Sequence, residues 1–479
     1  MNCKVLATVE IDKDNIHYAA IDNIIYQKSE KTVNGKTEYI PTKLLYCVIA
    51  KAGTTDAVIP DSVTEVGAGA FNNNSVVTSV TFGKVPAGED FTVGDQAFSQ
   101  CKALKKISLP EGLTGIAENM FYYCTSIEEI VIPSTVAKIE NQAFYYCTSL
   151  SKLTFAPTPD GQEPVKLEIL DAKSYSYAPF YGCKELKEIT FPERLTYIGS
   201  YAFGGSPATG NNHYAVYAYI EKVYLPSTLE RIGFRAFNYA DKLTTVKFAA
   251  GAVLKDLTDS KGNISASAIG EYAFDHCSAL TLLELPAAKD SKYSIGKCAF
   301  QYAGLTELAV PASVSSLGDY CFARSKIAKL TFADGAAPKI NKGAFNAVSI
   351  ETLVLPEGIT ELGESAFASC AKLKSVTLPY SLENLGVSAF ASCTSLSKVT
   401  MTKAADGTSK LAAIGNLAFQ KTLIESFVFP TLANGKVLSL GTSLFSGCTA
   451  LDSVYLSKSV GNVNGVFTGC NTIKHFVVD

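Results

Sequence analysis

Residues 104–110 read Leu-Lys-Lys-Ile-Ser-Leu-Pro, residues 127–133 read Ile-Glu-Glu-Ile-Val-Ile-Pro, and residues 150–155 read Leu-Ser-Lys-Leu-Thr-Phe. These stretches begin 23 residues apart, and the segments between them carry an Ala-Phe or Met-Phe pair and end near a Cys. The chain therefore repeats the unit LxxIxLPxxLxxIGxxAFxxC. Such a period is the signature of a solenoid, because one unit cannot bury its own apolar side and must stack on copies of itself.

An anchor Phe marks each repeat along most of the chain. Five residues before it stands an aliphatic residue in all but two repeats, where Tyr175 and Asn462 occupy that place. We expect those two coils to be distorted. The sixteen anchors are Phe71, Phe98, Phe121, Phe144, Phe180, Phe203, Phe237, Phe274, Phe300, Phe322, Phe345, Phe367, Phe390, Phe419, Phe445 and Phe467.

Each position of the unit has a physical interpretation. The last two apolar residues of LxxIxL are two apart, so both face inward on a strand. Proline ends the pairing because it has no N–H to donate. Glycine suits either a positive φ or a close approach to a neighbour. The anchor Phe is expected to fill the width of the coil, and Cys to fill a narrow buried corner.

The predicted fold is a mostly β solenoid, with a parallel sheet on one face and short helical or 3-10 turns on the other. We predict one solenoid over residues 1–479, with a hairpin-like interruption at 12–57 and regular repeats over 58–479. Because 3–11 match only the second half of a repeat, the chain is interpreted as part of a longer protein. Loop insertions rich in Pro, Gly, Asp and Ser are placed at 156–166, 249–267 and 402–411.

The repeat unit resembles the BspA-like leucine-rich repeats of bacterial surface proteins. The segment 18–26, Tyr-Ala-Ala-Ile-Asp-Asn-Ile-Ile-Tyr, leading to 58–63, also resembles a recurrent interruption in that family. The resemblance covers nearly the whole chain. It implies a right-handed solenoid, secretion or surface display, and adhesion to host proteins or other cells. It implies no shared catalytic residues.

Composition narrows the possible partners. Lys and Arg number 42 against 45 Asp and Glu, a formal net charge of −3, so no nucleic-acid partner is expected. No apolar run reaches the roughly 18 residues of a membrane span, and no signal peptide is visible in 1–10. Most of the thirteen cysteines occupy one slot of the repeat. Matching side chains on parallel strands make poor disulfides, so we expect buried free thiols.

The sequence offers little for catalysis. His17, His213, His276 and His475 lie in different repeats. The adjacent His276 and Cys277 could form a nucleophilic pair, but Cys277 occupies the core slot of its repeat. Metal sites need three or four converging ligands, and none is expected here. We therefore predict a protein that is not an enzyme and that needs no metal or cofactor.

Aromatic residues supply the candidate ligand-binding site. Tyrosines cluster near two adjacent insertions, and tyrosine suits protein and sugar ligands because it joins apolar area to a hydroxyl. The simpler interpretation is that 214–219 form an added strand whose rings cover the solenoid. A second candidate surface is the outward face of the LxxIxL strands, which is rich in Thr and Val. The predicted site residues are Tyr175, Tyr177, Tyr214, Tyr217 and Tyr219.

Three functions remain open from the sequence. The first is a surface or secreted adhesion protein that binds protein or glycan ligands, possibly derived from a host. The second is a scaffold inside the cell or periplasm. The third is an accessory region of a larger multidomain protein.

Overall fold

The chain forms two compact units. One comprises Met1–Leu229 with Ala236–Leu243, and the other comprises Glu230–Arg235 with Thr244–Asp479. In both units the chain winds through successive coils joined by parallel strand pairing, so the predicted β-solenoid is confirmed. The computed structural model describes residues 8–33, 35–48, 55–85, 88–205, 219–289 and 291–479.

The LxxIxL segment of each coil forms the first of two strand ladders. Ile130 and Ile132 point inward and are buried, whereas Val131 between them is exposed. Neighbouring coils pair in register, so that Ile130 lies beside Leu153. In the first unit these strands are Asp56–Ile59, Ser79–Phe82, Lys106–Ser108, Glu129–Ile132, Lys152–Phe155, Glu188–Thr190 and Lys222–Leu225. In the second unit they are Thr245–Phe248, Leu282–Glu284, Glu307–Val310, Lys329–Phe332, Thr352–Val354, Ser375–Leu378, Lys398–Met401, Ser426–Val428, Ser453–Leu456 and His475–Val478.

A second ladder runs through the aliphatic residue that precedes the glycine. Ile139 pairs with Ile116 on one side and Ile169 on the other, and all three are fully buried. Most of its strands are only two residues long. In the first unit they are Glu65–Val66, Thr92–Val93, Gly115–Ile116, Lys138–Ile139, Leu167–Ile169 and Leu195–Ile198. In the second unit they are Arg231–Ile232, Tyr293–Ile295, Val314–Leu317, Lys339–Ile340, Glu361–Leu362, Asn384–Leu385, Ala413–Ile414 and Ser439–Leu440.

The third side of each coil is the phenylalanine turn, which we define as the anchor Phe with the two residues on either side of it. Backbone N–H groups here donate to carbonyls of the next coil, as from Phe98 to Met120 at 3.0 Å and from Gln100 to Tyr122 at 2.6 Å. The outermost residues of most turns have left-handed backbone, for example Gln100 with a φ of 58°. This conformation is unfavourable for L-residues, and the bonds between coils hold it in place.

The anchor rings stack within each unit. The ring centroids of Phe121 and Phe144 are 5.5 Å apart with 13° between the planes, and those of Phe345 and Phe367 are 5.2 Å apart with 12°. Every anchor Phe is buried except the half-buried Phe467. The predicted role of Phe as the filling of the coil is confirmed.

The glycine after the second ladder is explained by close approach and not by a positive φ. A Cβ on Gly199 would lie 2.3 Å from the carbonyl oxygen of Leu170, and one on Gly386 would lie 2.5 Å from that of Leu362. Neither glycine has a positive φ. Of the two reasons that the sequence left open, only contact with the preceding coil applies at these positions.

The cysteine slot carries a hydrogen bond as well as filling a corner. The thiol of Cys147 donates to the carbonyl oxygen of Phe121 at 3.1 Å, and that of Cys393 donates to Phe367 at 3.1 Å, each in the preceding coil. None of the twelve described cysteines is in a disulfide, as expected, while Cys3 lies outside the described residues. Burial raises the pKa of the Cys183 thiol to about 12.

Antiparallel strands precede the first regular coil. A two-residue turn with positive φ at Asp22 and Asn23 joins the first two, which is the geometry of a type I′ hairpin. Tyr26 and Leu44 are completely buried, and Leu44 also pairs in parallel with Val66, so this region leads directly into the second ladder. The three strands are Tyr18–Ile21, Ile24–Val33 and Lys36–Cys47.

The two coils without the aliphatic residue depart from the regular pattern, as predicted. Before Phe180 the extra residues are divided between two places, since the strand Leu167–Ile169 lies between residues 156–166 and a second loop at 170–179. The prediction placed most of the extra residues at 156–166, and the second loop at 170–179 was not anticipated because the second-ladder strand could not be recognised. A 3-10 turn, Tyr175–Tyr177, lies in the second loop. Near Asn462 the second ladder is reduced to a single bridge at Val460.

The 249–267 insertion also differs from a plain loop. Residues Leu257–Thr258 and Ile264–Ala266 form a small antiparallel hairpin within the 249–267 insertion. Its base is held by the carboxylate of Asp256, which accepts bonds from the N–H groups of Ala268 and Ser294 at 2.8 and 2.9 Å. One further 3-10 turn, Ala433–Gly435, is found among the described residues.

Truncating an anchor Phe is expected to destabilise its unit. Phe144→Ala or Phe367→Ala should lower the free energy of unfolding by about 3–5 kcal/mol, because a stacked, fully buried ring is lost and a cavity remains. Phe467→Ala is the matched control and should cost less, since that ring is half-buried. Urea denaturation followed by circular dichroism measures the effect. Equal, small losses at all three positions would contradict the stacked core.

Candidate functional site

Two residues of the phenylalanine turn lie between each anchor Phe and the cysteine slot. In two successive coils of the first unit both are tyrosines, Tyr122 with Tyr123 and Tyr145 with Tyr146, and the next coil adds Tyr181. All five side chains are half-buried, because the turn beneath them is closed by its anchor Phe. We call these five residues the tyrosine ladder.

The ladder consists of two columns of stacked rings. In the first column the centroids of Tyr122 and Tyr145 are 5.0 Å apart, and those of Tyr145 and Tyr181 are 4.7 Å apart, with planes within 11° of parallel. In the second column Tyr123 and Tyr146 are 4.8 Å apart and parallel to within 1°. These distances match the strand spacing of about 4.8 Å, so the backbone ladders set the stacking.

Two phenols of the ladder resist ionisation strongly. Burial, followed by the charge of Tyr181, raises the pKa of Tyr145 well above its ordinary range. Burial and the neighbouring Tyr146 raise the pKa of Tyr181 to about 12. The ladder offers ring edges and hydroxyl groups, while most ring faces are covered by other rings.

The predicted tyrosines have different environments. Tyr177 is exposed on the 3-10 turn. Tyr175 donates its hydroxyl to Oδ1 of Asn238 at 2.6 Å and packs edge-on against Tyr201 at 4.7 Å. The Tyr219 ring lies under the amine of Lys187, with 5.2 Å from Nζ to the ring centroid. Tyr214 and Tyr217 lie outside the described residues.

The predicted coil and the tyrosine ladder are neighbours. The backbone N–H of Gln142 donates to the carbonyl of Tyr177 at 3.0 Å, and Gln142 belongs to the coil that carries Tyr145 and Tyr146. The ladder itself was missed by the sequence reasoning. Its signal was present as Phe-Tyr-Tyr-Cys at 121–124 and again at 144–147, which equal spacing places side by side.

The outward face of the first ladder is the second candidate surface. Val354 is 67% exposed and Val428 is 55% exposed. Oppositely charged residues pair across coils at the start of these strands, as between Lys152 and Glu129 at 2.8 Å and between Lys374 and Glu351 at 2.7 Å. Exposed pairs of this kind contribute little stability, but their opposite charges favour the observed pairing of adjacent coils.

His213, one of the residues considered for catalysis, lies outside the described residues, whereas His276 and Cys277 lie within them. Nδ1 of His276 lies 2.8 Å from a carboxylate oxygen of Asp275, and its ring stacks on Tyr302 at 4.4 Å. Cys277 is fully buried. Across the described ranges, no group of three or more His, Cys, Asp and Glu residues is placed to hold a metal ion. Those ranges also contain no helix with the length and apolar character of a membrane span.

Comparison with known families gives one match, repeated along the chain. A family profile described as "BspA type Leucine rich repeat region" matches six times, at residues 46–159, 171–212, 208–334, 253–373, 293–407 and 374–479. No curated protein matches the chain in sequence.

Several solved bacterial structures are similar. A leucine-rich-repeat protein of Bacteroides ovatus is 18% identical with a TM-score of 0.47, and the match covers 96% of this chain and 99% of that one. A leucine rich cell surface protein of Faecalibacterium prausnitzii is 18% identical with a TM-score of 0.30, covering 97% and 96%. The pneumococcal vaccine antigen PcpA is 17% identical with a TM-score of 0.33, covering 96% and 85%. Identities this low concern the fold alone.

The raised pKa of Tyr181 predicts a pH effect on stability. Its phenol keeps its proton in the folded chain up to about pH 12, whereas in the unfolded chain it ionises near pH 10. The free energy of unfolding should therefore fall as pH rises through this window. Tyr181→Phe cannot ionise, so its unfolding free energy should fall less steeply than that of the parent chain. The unfolding free energies of both chains are measured by urea denaturation at pH 9.5 and 11.5. An equal fall in the two chains would show that the fold does not shield Tyr181 from ionisation.

Proposed function

This chain belongs to the family of BspA-type leucine-rich-repeat proteins, and on that basis we propose that it is a non-catalytic surface or secreted protein that binds protein or glycan partners through its repeats. The observation that carries the proposal is the tyrosine ladder. Solenoids bind along extended surfaces to which each repeat contributes a small patch. Partners are usually held by a few aromatic anchors within such a patch.

The binding surface in this proposal joins the ladder to the predicted tyrosine site. Tyr177 is exposed in the coil directly after the one that carries Tyr145 and Tyr146. Tyr175 and Tyr219 border the same region, with Tyr214 and Tyr217 in the intervening sequence. Tyrosine gives apolar contact area at a low cost in side-chain entropy and adds a hydroxyl. Such a surface suits recognition of partners with mixed polarity.

A binding role also agrees with how the polar groups are used. The carboxylate of Asp171 accepts bonds from the N–H and hydroxyl of Ser200 at 2.7 and 2.6 Å, in the next coil. Glu357 accepts the N–H groups of Tyr380 and Ser381 at 2.9 and 3.0 Å. Groups that could serve as acids or bases are thus engaged in joining coils, which favours a scaffold over a catalyst.

Display outside the cell is a separate part of the proposal. Antibodies against this chain are expected to label intact cells of the source organism, because the repeats resemble those of bacterial surface proteins. Labelling that appears only after the cells are broken would favour the alternatives, an intracellular or periplasmic scaffold or an accessory region of a larger protein. An antibody to a cytoplasmic protein serves as the control for cell integrity.

Binding is tested with arrays of immobilised extracellular proteins and glycans, probed with the purified chain. For a bound partner, Tyr177→Ala should weaken the affinity by about 2 kcal/mol, roughly thirtyfold, if Tyr177 is an anchor. Tyr302→Ala is the control, since Tyr302 is a similarly exposed tyrosine of the second unit. A partner whose affinity is unchanged by Tyr177→Ala and by Tyr122→Ala binds elsewhere. The exposed valine face would then become the leading surface.

A further inference from the structure

Both columns of the tyrosine ladder end at glycines. At the first position after the anchor Phe the sequence runs Tyr122, Tyr145, Tyr181 and then Gly204. At the second position it runs Tyr123, Tyr146 and then two glycines, Gly182 and Gly205. Within the part of the chain that the structure describes, the last ring of each column therefore has no ring of the next coil stacked on it, although Tyr219 lies close enough to Tyr181 to help raise its pKa.

The backbone does not require a glycine at this place. Gly182 has a φ of 76°, but Tyr123 and Tyr146 adopt a φ of 57° at the equivalent position of their own coils. A Cβ on Gly182 would have the ring of Tyr146 as its nearest contact, 3.1 Å from Cγ and from Cδ2. Gly182 thus places no side chain on the second face of Tyr146, while its own backbone lies close to part of that ring.

The two terminal rings form a corner. The centroids of Tyr146 and Tyr181 are 5.4 Å apart and their planes are tilted by 40°. Each ring is backed by a parallel ring of the preceding coil, Tyr123 behind Tyr146 and Tyr145 behind Tyr181. This stacking fixes the ring orientations before any ligand arrives. We call this corner, with Gly182, Gly204 and Gly205 beside it, the tyrosine notch.

We propose that the tyrosine notch binds one ring of a neutral glycan, an inference that rests on the proposed binding function and gives it a ligand class. A saturated sugar ring presents C–H groups on its face and hydroxyl groups at its edge. The C–H face would pack on the part of the Tyr146 ring that Gly182 leaves exposed, and the phenol hydroxyls of Tyr146 and Tyr181 can exchange hydrogen bonds with the sugar hydroxyls.

Charge favours a neutral ligand over an anionic one. The residues of the notch carry no cation and no carboxylate, and the raised pKa of Tyr181 keeps that phenol neutral at neutral pH. Anionic sugars are usually held by Arg or Lys, which form charge-assisted bonds to carboxylate or sulfate. Rings fixed in advance also reduce the ordering cost of binding.

The probes are neutral oligosaccharides of glucose, galactose, mannose and N-acetylglucosamine, with sialylated and sulfated glycans for comparison. Isothermal titration calorimetry on the full chain should detect at least one of the neutral series. Tyr146→Ala should then weaken that binding tenfold or more. Tyr302→Ala changes a tyrosine at the equivalent position in the second unit and should leave the affinity unchanged.

A second variant fills the notch and removes no ring. Gly182→Asn places a side chain against Tyr146, and asparagine tolerates left-handed backbone better than most residues. It should also weaken glycan binding tenfold or more, with the circular dichroism spectrum unchanged. This variant keeps the test decisive if Tyr146→Ala fails to fold.

Two results would overturn the proposal that the tyrosine notch binds a neutral glycan. One is that no neutral glycan binds, or that only charged glycans do. The other is that neutral glycans bind Tyr146→Ala and Gly182→Asn as tightly as the parent chain. A protein partner that is lost in Tyr177→Ala, together with a chain that binds no glycan, would leave the proposed function standing and refute this inference alone.

Discussion

Parallel hydrogen bonding between coils places each residue beside its own counterpart, about 4.8 Å away along the ladder. Each residue must therefore be compatible with the residue at the same position of the next coil. Phenylalanine meets this condition by ring stacking, as for Phe121 on Phe144. Glycine meets it where two backbones approach too closely for a Cβ, as at Gly199. Charged residues meet it by alternating in sign, as for Glu129 and Lys152.

Much of the fold could be predicted because the residue types that recur in the repeat are those that fit beside the same position of the next coil. The spacing of Phe, Pro and the aliphatic residues located both the core and the first ladder. The left-handed residues of the phenylalanine turn could not be predicted, because tyrosine, glutamine, serine and arginine all occupy them and none signals a positive φ. The strand Leu167–Ile169 was missed because its coil is lengthened on both sides of it.

The candidate site was predicted only in part, for a reason of geometry. Sequence reasoning searched the insertions, where tyrosines such as Tyr175 and Tyr177 are dense. Four of the five residues of the tyrosine ladder lie instead in regular coils, where each pair resembles ordinary filling between Phe and Cys. Its character appears when Tyr122, Tyr145 and Tyr181 are seen as one column. Neighbours that are 23 or 36 residues apart in sequence become a single surface only after the register is known.

The thiol bonds to the phenylalanine carbonyls have a consequence for where the chain can fold. Cys147, Cys393 and six further described cysteines donate thiol hydrogen bonds to phenylalanine carbonyls, and none of the twelve described cysteines forms a disulfide. Stability of the described coils is therefore largely independent of the glutathione poise of the compartment. The described coils therefore contain no covalent sulfur link whose formation would depend on an oxidising compartment.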